Sequence, residues 1–179
     1  MYLNEHFKIM YHKQIKERKL EKFVSTGRIA AGSKEGVFTS SPLGSCVAVV
    51  AYDSTTKIGG LAHIMLPGKS PKGNNNKYAD DAITNLTDEL KILGVSKKNI
   101  EICLIGGANV LRKENDIIAN SLVSSVFEIL EKKKLDVIKT SVGGYERRTA
   151  ILNLSLGIVN FTVGDSLENK LFQFTAEKI

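Results

Sequence analysis

The sequence predicts an α+β fold, a layered α/β sandwich in which two main helices pack on a mixed, hairpin-rich sheet. Strand-like segments outnumber helical ones, and neighbouring strand segments are separated by short turns. Both observations favour a layered domain over a doubly wound parallel sheet, whose strands would alternate with helices. The chain has 179 residues, of which 42% are hydrophobic, so it can bury one sizeable core.

The clearest strand signal is a hairpin in the first third of the chain. Residues 47–52 (VAVVAY) form a continuous apolar run, typical of a buried strand. Residues 53–57 read as a turn, and residues 58–66 read as the returning strand. Further strands are predicted at residues 24–36, 100–105, 135–142, 149–154 and 158–163, the last two as a hairpin around Gly157.

Two main helices follow from apolar residues at helical spacing. One covers residues 79–93, with Gly94 where a C-terminal cap belongs, and the other covers residues 118–130.

The N-terminal segment is predicted to be a separate helix over residues 3–22. It precedes the compact pattern, so the predicted organisation is a helical extension at residues 1–22 and one domain at residues 23–179. The apolar face of this helix consists of residues four apart, namely Leu3, Phe7, Tyr11 and Ile15.

The net charge of +6 is concentrated near the N-terminus. Residues 1–40 carry eight Lys/Arg and four Asp/Glu, which is four of the six excess charges. Without interleaved aromatic residues this pattern favours a solvated helix face over a nucleic-acid surface, and a basic nucleic-acid binder stays an alternative that rests on charge alone. No secretory signal and no run of about 18 apolar residues occur, which predicts a cytoplasmic protein without membrane insertion.

Cys46 is a candidate nucleophile because of its position. It follows a glycine and a serine and precedes the buried strand at residues 47–52, so the thiol could be exposed on a fixed backbone. Gly44 permits a tight turn, and the backbone N–H groups of Ser45 and Cys46 could converge on an oxyanion. The alternative is a small buried hydrophobic residue, which free cysteine commonly is.

His63 is the candidate base. It lies on the returning strand of the predicted hairpin, near the same end as Cys46. Adjacent strands are about 5 Å apart, so a thiol and an imidazole there can meet, and the imidazole would lower the thiol pKa. The apolar surroundings of His63 fit a core histidine equally. A hydroxyl of Thr39, Ser40 or Ser41 could orient the imidazole, contact a substrate amide or satisfy a turn.

Other chemistries find little support. Cys103 has apolar neighbours on both sides and is predicted to be a core residue. Gly68-Lys69-Ser70 imitates the end of a phosphate loop, but the leading glycine of that motif would fall at His63. The two cysteines and three histidines show no zinc spacing, and no dinucleotide-binding glycine pattern occurs, so neither a metal nor a cofactor is expected.

Residues 43–49 (LGSCVAV) and 57–67 (KIGGLAHIMLP) resemble the core motif of the CheD family of chemoreceptor glutamine deamidases, including the interval from Cys46 to His63. The resemblance runs from about residue 24 to 163, and at Ile118-Ala-Asn120 only Asn120 fits the family pattern. Further similar segments follow in order at Tyr78-Ala-Asp80, Ile105-Gly-Gly-Ala-Asn109 and Val142-Gly-Gly144 with Arg147-Arg148.

This resemblance implies that Cys46 is the nucleophile and His63 the base. The third family position is a threonine six residues before the cysteine, which falls on Ser40, so the hydroxyl is kept and the methyl is lost. The resemblance also implies a fold similar to the catalytic domain of the cytotoxic necrotizing factor toxins. It further implies that the protein deamidates glutamines in methyl-accepting chemotaxis receptors. Family members commonly pair with a CheC-type phosphatase. A non-catalytic module that regulates such a phosphatase or receptor is the alternative, and intact Cys46 and His63 argue against it.

Overall fold

Ten strands and two α-helices form the part of the chain described by the structure, a computed structural model that covers residues 21–112, 114 and 117–176. In chain order they are β1 (Glu21–Phe23), β2 (Ile29–Ser33), β3 (Val37–Leu43), β4 (Val47–Asp53), β5 (Ile58–Ile64), α1 (Ala79–Ile92), a short 3-10 helix (Lys97–Asn99), β6 (Glu101–Gly106), α2 (Ile117–Lys132), β7 (Asp136–Val142), β8 (Arg148–Asn153), β9 (Ile158–Val163) and β10 (Asn169–Gln173).

The strands form two five-stranded sheets. The central sheet has the order β2-β5-β4-β6-β7, and the outer sheet has the order β1-β3-β8-β9-β10. Each sheet contains one parallel pair, β6 with β7 and β1 with β3, and the other pairs are antiparallel. The expectation of mixed, hairpin-rich pairing is confirmed, but the expectation of a single sheet is wrong. The second sheet exists because β3 pairs with β8, more than a hundred residues later, and not with its neighbour β4.

The described residues form three layers around two hydrophobic cores. The seven buried residues of β4 separate the two cores. Odd-numbered residues of β4 pack in the core between the central sheet and the two helices. Even-numbered residues pack in the core between the two sheets, where the Tyr52 hydroxyl donates to the Leu154 carbonyl at 2.7 Å. Burial on both faces explains why β4 is a continuous apolar run.

The predicted hairpin is confirmed, with a register that runs from Val47 opposite Ile64 to Asp53 opposite Ile58. Its turn is closed by the buried Asp53 carboxylate, which accepts the Thr55 N–H and the Thr56 hydroxyl, both at 2.9 Å. This is the local hydrogen bonding by which aspartate favours turns.

Both main helices and the later strands are confirmed within two residues of their predicted ends, and Gly94 follows α1 with φ 100°. Strands β3 and β10 were not predicted. The predicted N-terminal helix lies outside the described residues except at Glu21 and Lys22. There the prediction is wrong, because both residues are extended in β1 and pair with Val37 and Phe38 of β3. The division of the chain at residue 22 stays a prediction. Neither described helix is long and apolar enough to cross a membrane.

Candidate active site

The nucleophile loop, residues 44–46, joins β3 of the outer sheet to β4 of the central sheet. The turn after β6 holds it in place, because the Gly107 N–H donates to the Cys46 carbonyl at 2.7 Å and the Ala108 N–H donates to the Gly44 carbonyl at 2.8 Å. A Cβ at Gly106 would overlap the Cys46 carbonyl oxygen, and φ there is 117°. The Gly-Gly-Ala turn is therefore required for close approach to the loop.

The nucleophile loop also contains two backbone N–H groups that can donate to a bound oxyanion. Within the described residues, the backbone N–H groups of Ser45 and Cys46 donate to no protein acceptor. The two predicted oxyanion donors are thus adjacent and unoccupied.

His63 is held by Ser40 across the interface between the two sheets. The Ser40 hydroxyl lies 2.8 Å from His63 Nδ1 and 2.8 Å from the Val24 carbonyl oxygen, and both side chains are buried. A hydroxyl has one hydrogen, and the carbonyl can only accept, so Ser40 donates to Val24 and accepts from Nδ1–H. This network assigns the neutral imidazole a hydrogen on Nδ1 and a lone pair on Nε2.

Of the three hydroxyls that sequence reasoning left open, only Ser40 contacts the imidazole in this structure. Ser41 accepts a hydrogen bond from the Thr149 hydroxyl at 2.8 Å, on the other face of β3. The Thr39 carbonyl accepts the Val24 N–H at 2.8 Å, which is a backbone role. Strand alternation therefore selects Ser40 as the hydroxyl that faces the central sheet.

Thr26 is a second hydroxyl next to His63 that sequence reasoning missed. Its Oγ1 lies 3.3 Å from Nε2, so the imidazole is positioned between two hydroxyls. Thr26 lies in the loop between β1 and β2, and nothing in the sequence around it marks a contact with a residue so far along the chain.

Cys46 and His63 lie at the same end of the β4–β5 hairpin, as predicted, and Cys46 packs on the inter-sheet face of the central sheet. His63 is paired with Ala48, so Cys46 is its diagonal neighbour. Diagonal neighbours have Cβ atoms about 7 Å apart. Among the described residues no hydrogen bond joins the Cys46 thiol to His63, whose Nε2 faces Thr26.

Burial sets the protonation of both groups. It raises the pKa of the Cys46 thiol, and it lowers the pKa of His63, where the Val24 carbonyl acts in the opposite direction. The expectation that the imidazole lowers the thiol pKa is therefore wrong for this arrangement. Both shifts favour the uncharged forms, a thiol and a neutral imidazole, and within the described residues no hydrogen bond joins the two groups.

The two cysteines should differ strongly in reactivity. Cys46 is half-buried, whereas Cys103 is fully buried in β6 with a pKa raised to about 12. We expect iodoacetamide to label Cys46 at least about tenfold faster, with a rate that keeps rising with pH above about 8.5, the usual thiol pKa. Mass spectrometry of the labelled peptides measures both rates. Equal labelling, or a Cys46 rate that levels off below pH 8, would contradict this description of the resting site.

A cleft of ≈ 510 Å³ opens beside the nucleophile loop, which contributes Gly44 to its wall. Arg112 lies 5.6 Å above the Tyr145 ring and 3.4 Å from the Glu146 carboxylate, so its charge is paired. A second cleft of ≈ 600 Å³ shares Arg112 and Tyr145 with the first and includes Asn120. The first cleft reaches the nucleophile loop at Gly44, two residues before Cys46, and it adjoins the second cleft through Arg112 and Tyr145.

Arg148 holds the loop that carries Tyr145. Its Nε donates to the Ser141 hydroxyl at 3.0 Å and a terminal nitrogen donates to the Gly143 carbonyl at 2.7 Å. The Gly144 carbonyl in turn accepts the Asn109 N–H at 2.8 Å. The late Gly-Gly-x-x-x-Arg segment therefore fixes one wall of the cleft.

Comparison with known proteins identifies the family of this chain. Residues 65–162 match the family model described as CheD chemotactic sensory transduction. A relative from Chlorobium luteolum named "Probable chemoreceptor glutamine deamidase CheD" is 40% identical over 157 residues, which is 86% of this chain and 78% of the relative. The chain belongs to the CheD family.

Two further CheD relatives show how widely the similarity extends. The protein from Pyrococcus abyssi is 34% identical over 83% of this chain and 96% of its own length. "Chemoreceptor glutamine deamidase CheD" from Thermotoga maritima is 32% identical over 77% of this chain and 88% of its own length. The CheD family model begins at residue 65, after Cys46 and His63, so the argument for these two residues rests on the site itself.

Proposed function

We propose that this protein converts glutamines of methyl-accepting chemoreceptors to glutamate, with Cys46 as nucleophile, His63 as base and Ser40 as the residue that orients the imidazole. The observation that carries the proposal is the Ser40–His63 hydrogen bond of 2.8 Å, which places the imidazole hydrogen on Nδ1 and leaves Nε2 as the basic nitrogen. The proposed substrate is inferred from the names of the CheD relatives, which call them chemoreceptor glutamine deamidases.

The reaction would begin with transfer of the Cys46 proton to Nε2. This step needs a side-chain rotation that replaces the Thr26 contact with a thiol contact, and catalytic hydrogen bonds commonly tighten only when substrate binds. The thiolate attacks the amide carbon of the glutamine, and the N–H groups of Ser45 and Cys46 bind the oxyanion. The imidazolium protonates the departing ammonia. Water activated by His63 then hydrolyses the thioester to glutamate, so the chemistry uses side chains and water alone.

The proposal includes three further points from the family resemblance. The protein would act in the cytoplasm, and a CheC-type phosphatase would be its second partner, which co-purification from cell extract tests. Its fold would be similar to the catalytic domain of the cytotoxic necrotizing factor toxins, which superposition of experimental structures tests.

A non-catalytic binding module is the second candidate function. The observation that favours it is the missing hydrogen bond between the Cys46 thiol and His63 in the resting site. Ammonia release from a purified receptor fragment separates the two candidates. Release that depends on enzyme concentration supports the deamidase, and tight binding of the fragment without release supports the binding module.

Ser40 provides a test of the orienting role. Ser40→Ala should lower kcat by about ten- to a thousandfold, because the imidazole loses the acceptor that fixes its tautomer. Ser40→Thr should keep activity, because it retains the hydroxyl. The matched control is Ser41→Ala, on the opposite face of the same strand, which should stay within about twofold of the natural protein. Full activity of Ser40→Ala with an unchanged thermal melt would exclude an orienting role.

A further inference from the structure

Two cationic side chains lie beside the catalytic base. The Gly27 N–H donates to the His63 carbonyl at 2.8 Å, and the His63 N–H donates to the Arg28 carbonyl at 3.0 Å, so Arg28 is the strand neighbour of His63. The side chain of Lys77 passes over Gly27, where a Cβ would lie 2.6 Å from Lys77 Cγ. Arg28 and Lys77 are both exposed. Gly27, which the Lys77 side chain contacts, separates Arg28 in the sequence from Thr26, whose Oγ1 lies 3.3 Å from Nε2.

The chain segments that carry these two cations contain no acidic residue. Neither residues 22–34 nor residues 54–79 contain an aspartate or a glutamate. Among the residues that the structure describes, no ion pair joins Arg28 or Lys77 to a carboxylate.

The opposite side of the site is different. There Arg112 is paired with Glu146 at 3.4 Å, and Arg147 is paired with Asp165 at 2.7 Å. The site is therefore electrostatically asymmetric, with a neutral cleft wall on one side and a cationic rim, Arg28 and Lys77, on the other. Exposed unpaired cations attract an anionic partner group at small desolvation cost.

We propose that the cationic rim binds carboxylates of the substrate segment next to the target glutamine. This inference rests on the proposed deamidase function and adds the charge pattern that the enzyme selects. Two cations suit a protein segment with a few acidic side chains better than a polyanion. Anionic membranes are bound by clusters of about four to eight Lys/Arg, and nucleic acids by longer basic stripes.

Two versions of one receptor peptide, which differ only in the residues beside the target glutamine, test the proposal. Both contain the target glutamine, one with glutamates on either side of it and the other with serines at those positions. We expect the natural protein to show a kcat/KM about tenfold higher for the glutamate peptide at low salt, mainly through KM. The difference should shrink to about twofold at about 0.5 M NaCl, where the Debye length is only a few ångströms.

The double variant Arg28→Gln/Lys77→Gln should lose this discrimination to within about twofold. Its matched control is Lys34→Gln/Lys57→Gln, which removes the same number of positive charges. These two residues lie at the end of the β2–β5 pair that is far from His63, where the Lys34 N–H donates to the Lys57 carbonyl at 3.3 Å. The control should discriminate as the natural protein does. Thermal melts check that both double variants are folded.

Four outcomes would overturn the proposal. The rim variant could discriminate as the natural protein does, or the control could lose discrimination equally, which would indicate a net-charge effect. The rim variant could instead lose binding to phosphatidylglycerol vesicles while the natural protein turns over both peptides alike, which would assign the rim to a membrane surface. Turnover of neither peptide by the natural protein would refute the deamidase function itself, and the inference with it.

Discussion

Cys46→Ala should lower deamidation of a receptor fragment by at least about a thousandfold, the largest effect expected from any single substitution. The variant removes the more accessible of the two thiols, because Cys46 is half-buried whereas Cys103 is fully buried in β6 and has a pKa raised to about 12. Cys46 is half-buried at the margin of the inter-sheet core, so the fold should remain intact. Ammonia release under saturating substrate measures the effect.

The matched control for this variant is Cys103→Ala, which removes the other thiol. It should lose stability, because it deletes a buried sulfur from the core, yet keep a kcat within about threefold of the natural value at a temperature where it is folded. Retention of more than about a tenth of the activity by Cys46→Ala would contradict the assignment of the nucleophile.

Gly106→Ala should have the second largest effect. The added methyl group would overlap the Cys46 carbonyl oxygen, and φ is 117°, a conformation that L residues rarely adopt. The nucleophile loop would have to move, and a displacement of about 1 Å at a catalytic group can lower the rate about a hundredfold. We expect at least that loss in kcat, together with a lower thermal midpoint.

Gly73→Ala separates displacement from backbone strain. Gly73 has a φ of 76° but no atom within 4 Å of an added Cβ, so it bears the strain without the overlap. This variant should stay within about threefold of the natural activity. If Gly106→Ala were equally mild, the close contact between the β6 turn and the nucleophile loop would not control the position of the thiol.

Local patterns predicted the elements whose structure depends on neighbouring residues. The β4–β5 hairpin follows from a buried strand and the turn chemistry of Asp53, and α1 follows from helical spacing that ends at Gly94. Strand β3 was missed because its sequence, VFTSSPL, is interrupted by two serines and a proline. Its partner β8 lies far along the chain, so the pairing that stabilises it leaves no local signal.

The features of the candidate site also divide into those that local sequence patterns predict and those that depend on long-range packing. Register within a hairpin predicts that Cys46 and His63 lie near the same end of two adjacent strands, and they do. Strand register does not determine the direction in which a ring nitrogen points. The Thr26 contact and the absence of a Cys46–His63 hydrogen bond could therefore not be predicted from the sequence. The contact of Ser40 with His63 depends on packing of one sheet on the other, which again is a long-range property.

The most direct test of the central claim is the mass of a receptor fragment incubated with the natural protein and, in parallel, with Cys46→Ala. Conversion of a glutamine amide to an acid adds about one dalton at a single residue, which peptide mapping locates. The account predicts this gain at specific glutamines with the natural protein and none with Cys46→Ala. An unchanged fragment after prolonged incubation with the folded natural protein, or the same gain with both proteins, would contradict it.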